Sequence, residues 1–284
     1  MKALVIGASG MLGSTVLRVL SEKGDWQVFG TVRDERARQF FSEAIGKRIR
    51  ADVDVEEQHS LIKVLDQIRP DVVINCTGLT KHKMETDDLL ASIPINALVP
   101  HQLAELCKLV GARLIHVSTD CVFSGEKGGY VEGDPTDARD AYGKSKALGE
   151  VDYPHAITLR TSIIGHELQS KISLLDWFLS QHASCKGYTR AIFSGLPTVI
   201  FAQIIRDVVI PHEELSGLYH VAAKPISKFN LLKLIADVYG KSINIEPDDT
   251  LVVDRSLDAT RFFRATGYIA PEWPELVRAM YSFA

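Results

Sequence analysis

The feature that most restricts this chain is Gly7-Ala8-Ser9-Gly10-Met11-Leu12-Gly13, set between an apolar run over residues 3–6 and a segment with helical apolar spacing at Leu12, Val16, Val19 and Leu20. Glycines at a strand–helix junction permit a tight turn and the close approach of a pyrophosphate, which then sits on the helix N-terminus. A glycine-rich stretch by itself is an ordinary loop. Here the flanking pattern favours a dinucleotide cradle, with Gly7, Ser9, Gly10, Met11 and Leu12 as cofactor contacts and Gly13 closing the motif.

The following residues agree with that reading. Short apolar, β-branched runs predict strands near residues 3–7, 26–32, 48–53, 71–77, 113–118 and 155–160, separated mostly by helices, and a seventh near 218–222. Continuous runs such as Val72-Val73-Ile74 mark strands buried on both faces, hence a parallel sheet covered by helices. The expectation is an α/β, doubly wound Rossmann domain over 1–164 plus about 198–224. A smaller C-terminal substrate-binding lobe is expected over 165–197 and 225–284.

About twenty residues past Gly13, NAD sites carry an acidic residue for the ribose 2′-hydroxyl. Here the second strand runs into Arg33, then Asp34. A guanidinium suits a 2′-phosphate, so NADP(H) is preferred and NAD(H) stays open through Asp34; Arg33 reads equally as a solvated helix-entry charge. Asp52 and Val53 end the third strand and are expected beside the adenine, although Asp52 or Asp54 also suits the N-cap of the helix ending near Ile68. Cys76, Thr77 and Gly78 form a small-residue turn that a flat nicotinamide or its ribose could cross.

Tyr142 and Lys146 stand one helical turn apart and share a face. An ammonium near a phenol stabilises the phenolate and draws its pKa down, toward the range where proton transfer is efficient. Thr119, at the end of the fifth strand, would add a hydroxyl to the same reacting oxygen. Such a trio gives a proton to, or takes it from, a carbonyl oxygen while hydride moves at its carbon, though Tyr-x-x-x-Lys also occurs by chance in many helices. Asn96 is expected to open a helix, either as a cap or as a polar post behind Lys146.

A net charge of −4 argues against nucleic-acid or anionic-membrane surfaces. The first apolar run is too short for a signal-peptide core, and the stretch 191–205 is broken by Ser194, Gly195, Pro197 and Gln203, so a cytoplasmic protein with no membrane span is expected. Cys76, Cys107, Cys121 and Cys185 lack metal-ligand spacing and read as reduced thiols; no metal is expected. Lys81, His82 and Lys83 read as an exposed charge run or a cluster over a phosphate.

Taken in order, Gly7/Gly10/Gly13, Asn75, Asn96, Ser118-Thr119 and Tyr142-x-x-x-Lys146 resemble the extended short-chain dehydrogenase/reductase family. More narrowly, residues 118–125 (Ser-Thr-Asp-Cys-Val-Phe-Ser-Gly), 142–146 (Tyr-Gly-Lys-Ser-Lys) and 159–162 (Leu-Arg-Thr-Ser) are similar to nucleotide-sugar 4-ketoreductases of the dTDP-4-dehydrorhamnose reductase family. That resemblance implies NADPH-dependent reduction of the C4 keto group of a nucleotide-diphospho-4-keto-6-deoxyhexose, for deoxysugar and surface-polysaccharide precursors. It implies Tyr142 as proton donor, Lys146 on the nicotinamide ribose, Thr119 on the carbonyl, and Asp120 and Cys121 in the sugar pocket. Cys121 stands where that family commonly has tyrosine. Residues 255–261 (Arg-Ser-Leu-Asp-Ala-Thr-Arg) lack the family's proline and asparagine there. A monomer or homodimer acting on a small-molecule nucleotide sugar is expected.

In the C-terminal third, helices are predicted over 171–181, from Thr198 as cap through Val209, and from Ser227 as cap through Tyr239. A basic turn around residues 186–190 offers Lys186 and Arg190 to a diphosphate, and Arg255 faces either a phosphate or an ion-pair partner. Two alternatives remain: an epimerase or dehydratase with tightly bound NAD, or a non-catalytic NADP-binding regulatory subunit such as the relative that accompanies methionine adenosyltransferase.

Overall fold

The computed structural model describes residues 1–79, 88–168 and 171–283; the basic run at Lys81, His82 and Lys83 lies outside them. Five strands of the N-terminal half alternate with helices: β1 (Lys2–Ile6), α1 (Met11–Ser21), β2 (Gln27–Thr31), α2 (Glu43–Gly46), β3 (Ile49–Arg50), α3 (Gln58–Ile68), β4 (Val72–Asn75), α4 (Leu89–Ile93), α5 (Val99–Val110) and β5 (Arg113–Thr119). After α6 (Ala141–Leu148) and β6 (Ala156–Thr161), a later strand, β11 (Gly217–His220), joins them. The sheet runs β11-β6-β5-β4-β1-β2-β3, every pairing parallel. This is the Rossmann arrangement expected, with the order reversing beside β1, where such sheets bind ligands.

The sheet is dry on both faces. Ala3, Val5, Ile74 and Ile115 join one apolar cluster, while Leu4, Ile6, Val73 and Leu114 join another, as strand alternation requires. In α1, Val16, Leu17, Val19 and Leu20 are fully buried, each contributing about 1.5–3 kcal/mol.

The remaining described residues build three small sheets and five α-helices: β7 (Ile163–Ile164), α7 (Leu174–Ser180), β8 (Ser184–Tyr188), β9 (Ala191–Phe193), β10 (Leu196–Pro197), α8 (Thr198–Ile204), β12 (Ile226–Ser227), α9 (Lys228–Tyr239), β13 (Asn244–Asp248), β14 (Val253–Asp254), α10 (Thr260–Thr266) and α11 (Trp273–Ser282). The cluster containing Ala3 and Val5 continues through α8 and α9 to Trp273, Leu276 and Met280, so both parts share one core.

Several local expectations are corrected. Asn96 opens no helix: it lies in a π turn, Pro94–Leu98, that carries α4 into α5. Asp52 has φ 56° and Asp54 accepts from the Glu56 amide; α3 instead follows Glu57, which makes no side-chain cap. Thr198 is the first residue of α8, behind Pro197, rather than its cap, and its hydroxyl meets that of Thr15 at 3.3 Å. The basic turn at 186–190 is in part strand β8, paired in parallel with β13. Ser227 does cap α9, accepting from the Asn230 amide. Among the described residues no helix is long and apolar enough to cross a membrane, and no cluster of His, Cys, Asp and Glu suits a metal.

Candidate active site

One cavity of about 490 Å³ opens at the carboxyl ends of β1, β4, β5 and β6. Its first wall is the glycine turn. Gly7 has φ +82°, and a Cβ there would stand 2.8 Å from Thr77 Cγ2. At Gly13 a Cβ would stand 2.1 Å from the Gly7 carbonyl oxygen, so only glycine lets α1 start this close to β1. Gly10 caps α1 with no side-chain hydrogen bond, the first turn holds no acidic residue, and Gly10, Met11 and Leu12 line the cavity. Backbone amides aimed at an open cavity without a built-in acceptor suit an anion such as a pyrophosphate.

The second wall is β4's end. The buried Asn75 Oδ1 accepts from both the Thr77 amide (3.0 Å) and the Thr77 hydroxyl (2.6 Å), which fixes the Cys76-Thr77-Gly78 turn against the cavity. Asn75 Nδ2 in turn donates to His116 Nδ1 at 3.1 Å. Burial pushes the Cys76 thiol up to about 12, so it is neutral.

The third wall carries the reactive groups. Asp140 caps α6 by accepting from the Gly143 amide at 2.8 Å. Gly143 lets α6 pass the turn after β5: a Cβ would stand 2.2 Å from the Cys121 carbonyl oxygen. That approach sets Tyr142 and Lys146 beside Thr119, and all three line the cavity. Lys146 Nζ donates to the Val117 carbonyl at 2.8 Å. Thr119 Oγ1 accepts from the Cys121 amide (3.1 Å) and donates to Asp120 Oδ1 (3.2 Å).

The electrostatics differ from the expectation that Lys146 lowers the Tyr142 pKa. Burial raises the phenol above its ordinary value, with Cys121 adding to the rise and a Thr119 hydrogen bond opposing it. Burial also draws the Lys146 ammonium down to about 8, opposed chiefly by Glu150. Desolvation outweighs the neighbouring charge at both residues. Asp120 is likewise raised by burial, with Arg255 countering.

The expected contacts separate into two groups. Gly10, Met11, Leu12, Cys76, Thr77, Gly78, Thr119, Asp120, Cys121, Tyr142, Lys146 and Arg255 all line the cavity. Among the described residues Arg255 has no carboxylate partner within ion-pair distance; its Nε donates to the Phe123 carbonyl at 2.8 Å. Lys186 does not reach the cavity: its exposed ammonium pairs with Asp248 at 3.1 Å, and Arg190 is exposed outside the lining. Gly7 and Ser9 lie behind the lining, Asp52 is exposed and Val53 is buried in the sheet's second core. Arg33 is exposed just past β2, while the Asp34 carboxylate is engaged by the Arg36 amide and guanidinium, which hold it down to about 2.

Sequence reading missed Lys228, at the start of α9, and Glu167, Ile172 and Ser173 from the segment before α7. The cap at Ser227 could have pointed to Lys228, since it places a cation at a helix start. Glu167 and Ile172 carry no comparable signal.

The family model described as the RmlD substrate binding domain matches residues 1–262. The probable low-salt glycan biosynthesis reductase Agl14 of Haloferax volcanii is 34% identical over 235 residues, covering 79% of this chain and 75% of that protein. A dTDP-4-dehydrorhamnose reductase structure from Clostridium acetobutylicum superposes with TM-score 0.82 at 24% identity, covering 100% of this chain and 99% of the other. A Bacillus anthracis dTDP-4-dehydrorhamnose reductase structure, in complex with NADP, gives TM-score 0.80 at 20% identity, covering 100% and 99%.

Proposed function

The chain belongs to the RmlD substrate binding domain family, as an NAD(P)-dependent oxidoreductase of the extended short-chain dehydrogenase/reductase type, and from that premise we propose that it reduces the C4 keto group of a nucleotide-diphospho-4-keto-6-deoxyhexose with NADPH. The observation that carries this reading is the convergence of Thr119, Tyr142 and Lys146 on the cavity that the uncapped start of α1 faces. A nicotinamide dinucleotide, when bound, supplies the hydride. Gly10, Met11 and Leu12 hold its pyrophosphate, and Cys76, Thr77 and Gly78 receive its nicotinamide half.

Arg33 takes the ribose 2′-phosphate. The engagement of Asp34 by Arg36 supports this choice, because that carboxylate is not free to accept from a 2′-hydroxyl. The NADP held by the Bacillus anthracis neighbour agrees.

The raised pKa of Tyr142 suits the direction of reaction. A phenol that keeps its proton at neutral pH enters as the donor, and the developing C4 alkoxide takes that proton. Lys146 compensates the phenolate left behind, and the Thr119 hydroxyl binds the same oxygen. Asp120 and Cys121 face the sugar. Lys228 and Arg255, which both line the cavity, take the diphosphate in place of Lys186 and Arg190. Residues 1–164 with about 198–224 hold the dinucleotide, and 165–197 with 225–284 hold the nucleotide sugar.

The test is NADPH oxidation with dTDP-, UDP-, GDP- and CDP-linked 4-keto-6-deoxyhexoses generated in situ by dehydratases. Turnover of one of them, lost by roughly 10²–10⁴-fold in Tyr142→Phe without loss of folding, is expected. Purified protein that retains unexchangeable NAD and oxidises no added NADPH refutes the reading.

A further inference from the structure

Beside the cavity, which Ser118 also lines, lies a polar row that the reaction above does not use. Ser118 on β5, Arg160 on β6 and His220 on β11 are register neighbours across three adjacent strands. Glu150, just past the end of α6, closes the row. Its Oε1 accepts from Ser118 Oγ (2.7 Å) and Arg160 Nε (2.7 Å), and its Oε2 accepts from Arg160 Nη2 (2.6 Å). Arg160 Nη1 donates to His220 Nε2 at 3.2 Å, and the other ring nitrogen donates to the Tyr130 carbonyl at 3.0 Å. Arg160 and Glu150 side chains are 4% and 12% exposed. A charged pair this deep is expensive to bury, and a packed apolar pair of similar volume is often no less stable. Its retention calls for a role beyond holding the strands together.

The sequence supplies the link. Glu150 follows Lys146 by four residues, and Val117, Ser118 and Thr119 are consecutive on β5. The Val117 carbonyl accepts from Lys146, Ser118 donates to Glu150, and Thr119 lines the cavity. The groups around Lys146 from the packed elements are the Cys76 thiol after β4, the His116 imidazole on β5, the Tyr142 phenol on its own helix, and Glu150, whose partner Arg160 brings a positive charge from β6. Burial keeps the thiol, the imidazole and the phenol neutral. The π turn offers only the uncharged Asn96, bonded to Ser145. Glu150 therefore carries the negative charge that opposes loss of the Lys146 proton, and its fork with Arg160 fixes the carboxylate in place while offsetting part of that charge.

We infer that Glu150 is a positioning residue: it keeps Lys146 charged at working pH and, through Ser118, holds the strand end that presents Thr119. The inference rests on the role given to Lys146 in the proposed reaction, but its electrostatic half can be read without turnover.

The experiment uses the full chain labelled with ¹³C at lysine Cε, with Lys146→Met identifying the Lys146 resonance. Titration of wild type against Glu150→Gln is expected to lower the Lys146 midpoint by about one pH unit, a tenfold loss of proton affinity, and the basic limb of kcat/KM should move down with it. A purely structural Glu150 would lower stability and leave that midpoint alone. Should Glu150→Gln fail to fold with Arg160 unpaired, Glu150→Gln/Arg160→Met is compared with Arg160→Met, the two differing only in the Glu150 charge, and the same fall is expected between them. An unchanged midpoint in either folded variant overturns the inference. If the midpoint falls while wild type reduces no nucleotide sugar, the link between Glu150 and Lys146 stands and the proposed reaction is the part that fails.

Discussion

Gly13→Ala tests the geometry on which the whole cofactor site depends. The new Cβ would stand 2.1 Å from the Gly7 carbonyl oxygen, 2.8 Å from its carbon and 3.1 Å from Ala8 Cα, all backbone atoms that cannot rotate away. Carbon–oxygen contacts settle near 3.3 Å, so α1 must withdraw from β1 by roughly 1 Å. Overpacking of this kind costs about 1–3 kcal/mol or more, which at about 2 °C per kcal/mol lowers Tm by roughly 2–6 °C. The same withdrawal carries the Met11 and Leu12 amides off the pyrophosphate that the proposed function has them hold, and a 1 Å misplacement can reduce kcat/KM by roughly a hundredfold. Gly10→Ala is the control. Gly10 has φ −78°, and its Cβ would meet only the Gly7 oxygen, at 3.6 Å, so the fold accepts alanine while a methyl enters the cavity wall. Its Tm should stay within about 1 °C of wild type although NADPH binding weakens. Melting followed by circular dichroism and NADPH titration followed by fluorescence separate the two effects. A Gly13→Ala protein with wild-type Tm and wild-type NADPH affinity would refute the reasoning.

Other outcomes follow from the site. Arg255→Gln or Lys228→Gln should raise KM for the nucleotide sugar by roughly ten- to a hundredfold, about 1.5–3 kcal/mol for a lost charge-assisted bond, whereas Lys186→Gln and Arg190→Gln should leave KM unchanged. Arg33→Gln should reduce the preference for NADPH over NADH by at least tenfold, read as the ratio of kcat/KM values. Burial draws Lys146 down to about 8, and in the proposed reaction it must be charged to compensate the phenolate, so kcat/KM of the free enzyme should fall as pH rises through about 8. For stability the sign is opposite: its folded pKa lies below the unfolded one, so burying the charge destabilises fully below about 8, and this cost is relieved as pH rises toward 10.5. Lys146→Met should abolish that relief in urea titrations.

The sheet was legible because its evidence is local. Val72-Val73-Ile74 and its counterparts announce strands buried on both faces, and the seven runs fall at the observed strands with shifts of one to a few residues. The glycine motif and the Tyr142–Lys146 spacing were legible for the same reason: each describes a single turn of chain. What depended on packing between distant segments was not. Lys186 looked like a ligand because it sits in a basic stretch, but β8 pairs with β13 and sets it against Asp248. Of the two roles open to Asn96, cap or post behind Lys146, the structure has the second: its side chain holds Leu79 and Ser145, the residue before Lys146, both far from it in sequence. The Tyr142 pKa escaped because the i, i+4 spacing reports a neighbour and is blind to how much water the fold removes.

The shared apolar core has a consequence for anyone who would cut this protein in two. Cluster members run without a break from Val5 on β1 to Met280 on α11, passing through α8 and α9. Stopping translation at Phe262 would remove Leu276 and Val277 from the cluster they share with α1 and α8, so a fragment ending there is an unpromising reagent. Heat should likewise dismantle the sheet and the C-terminal helices in one cooperative event.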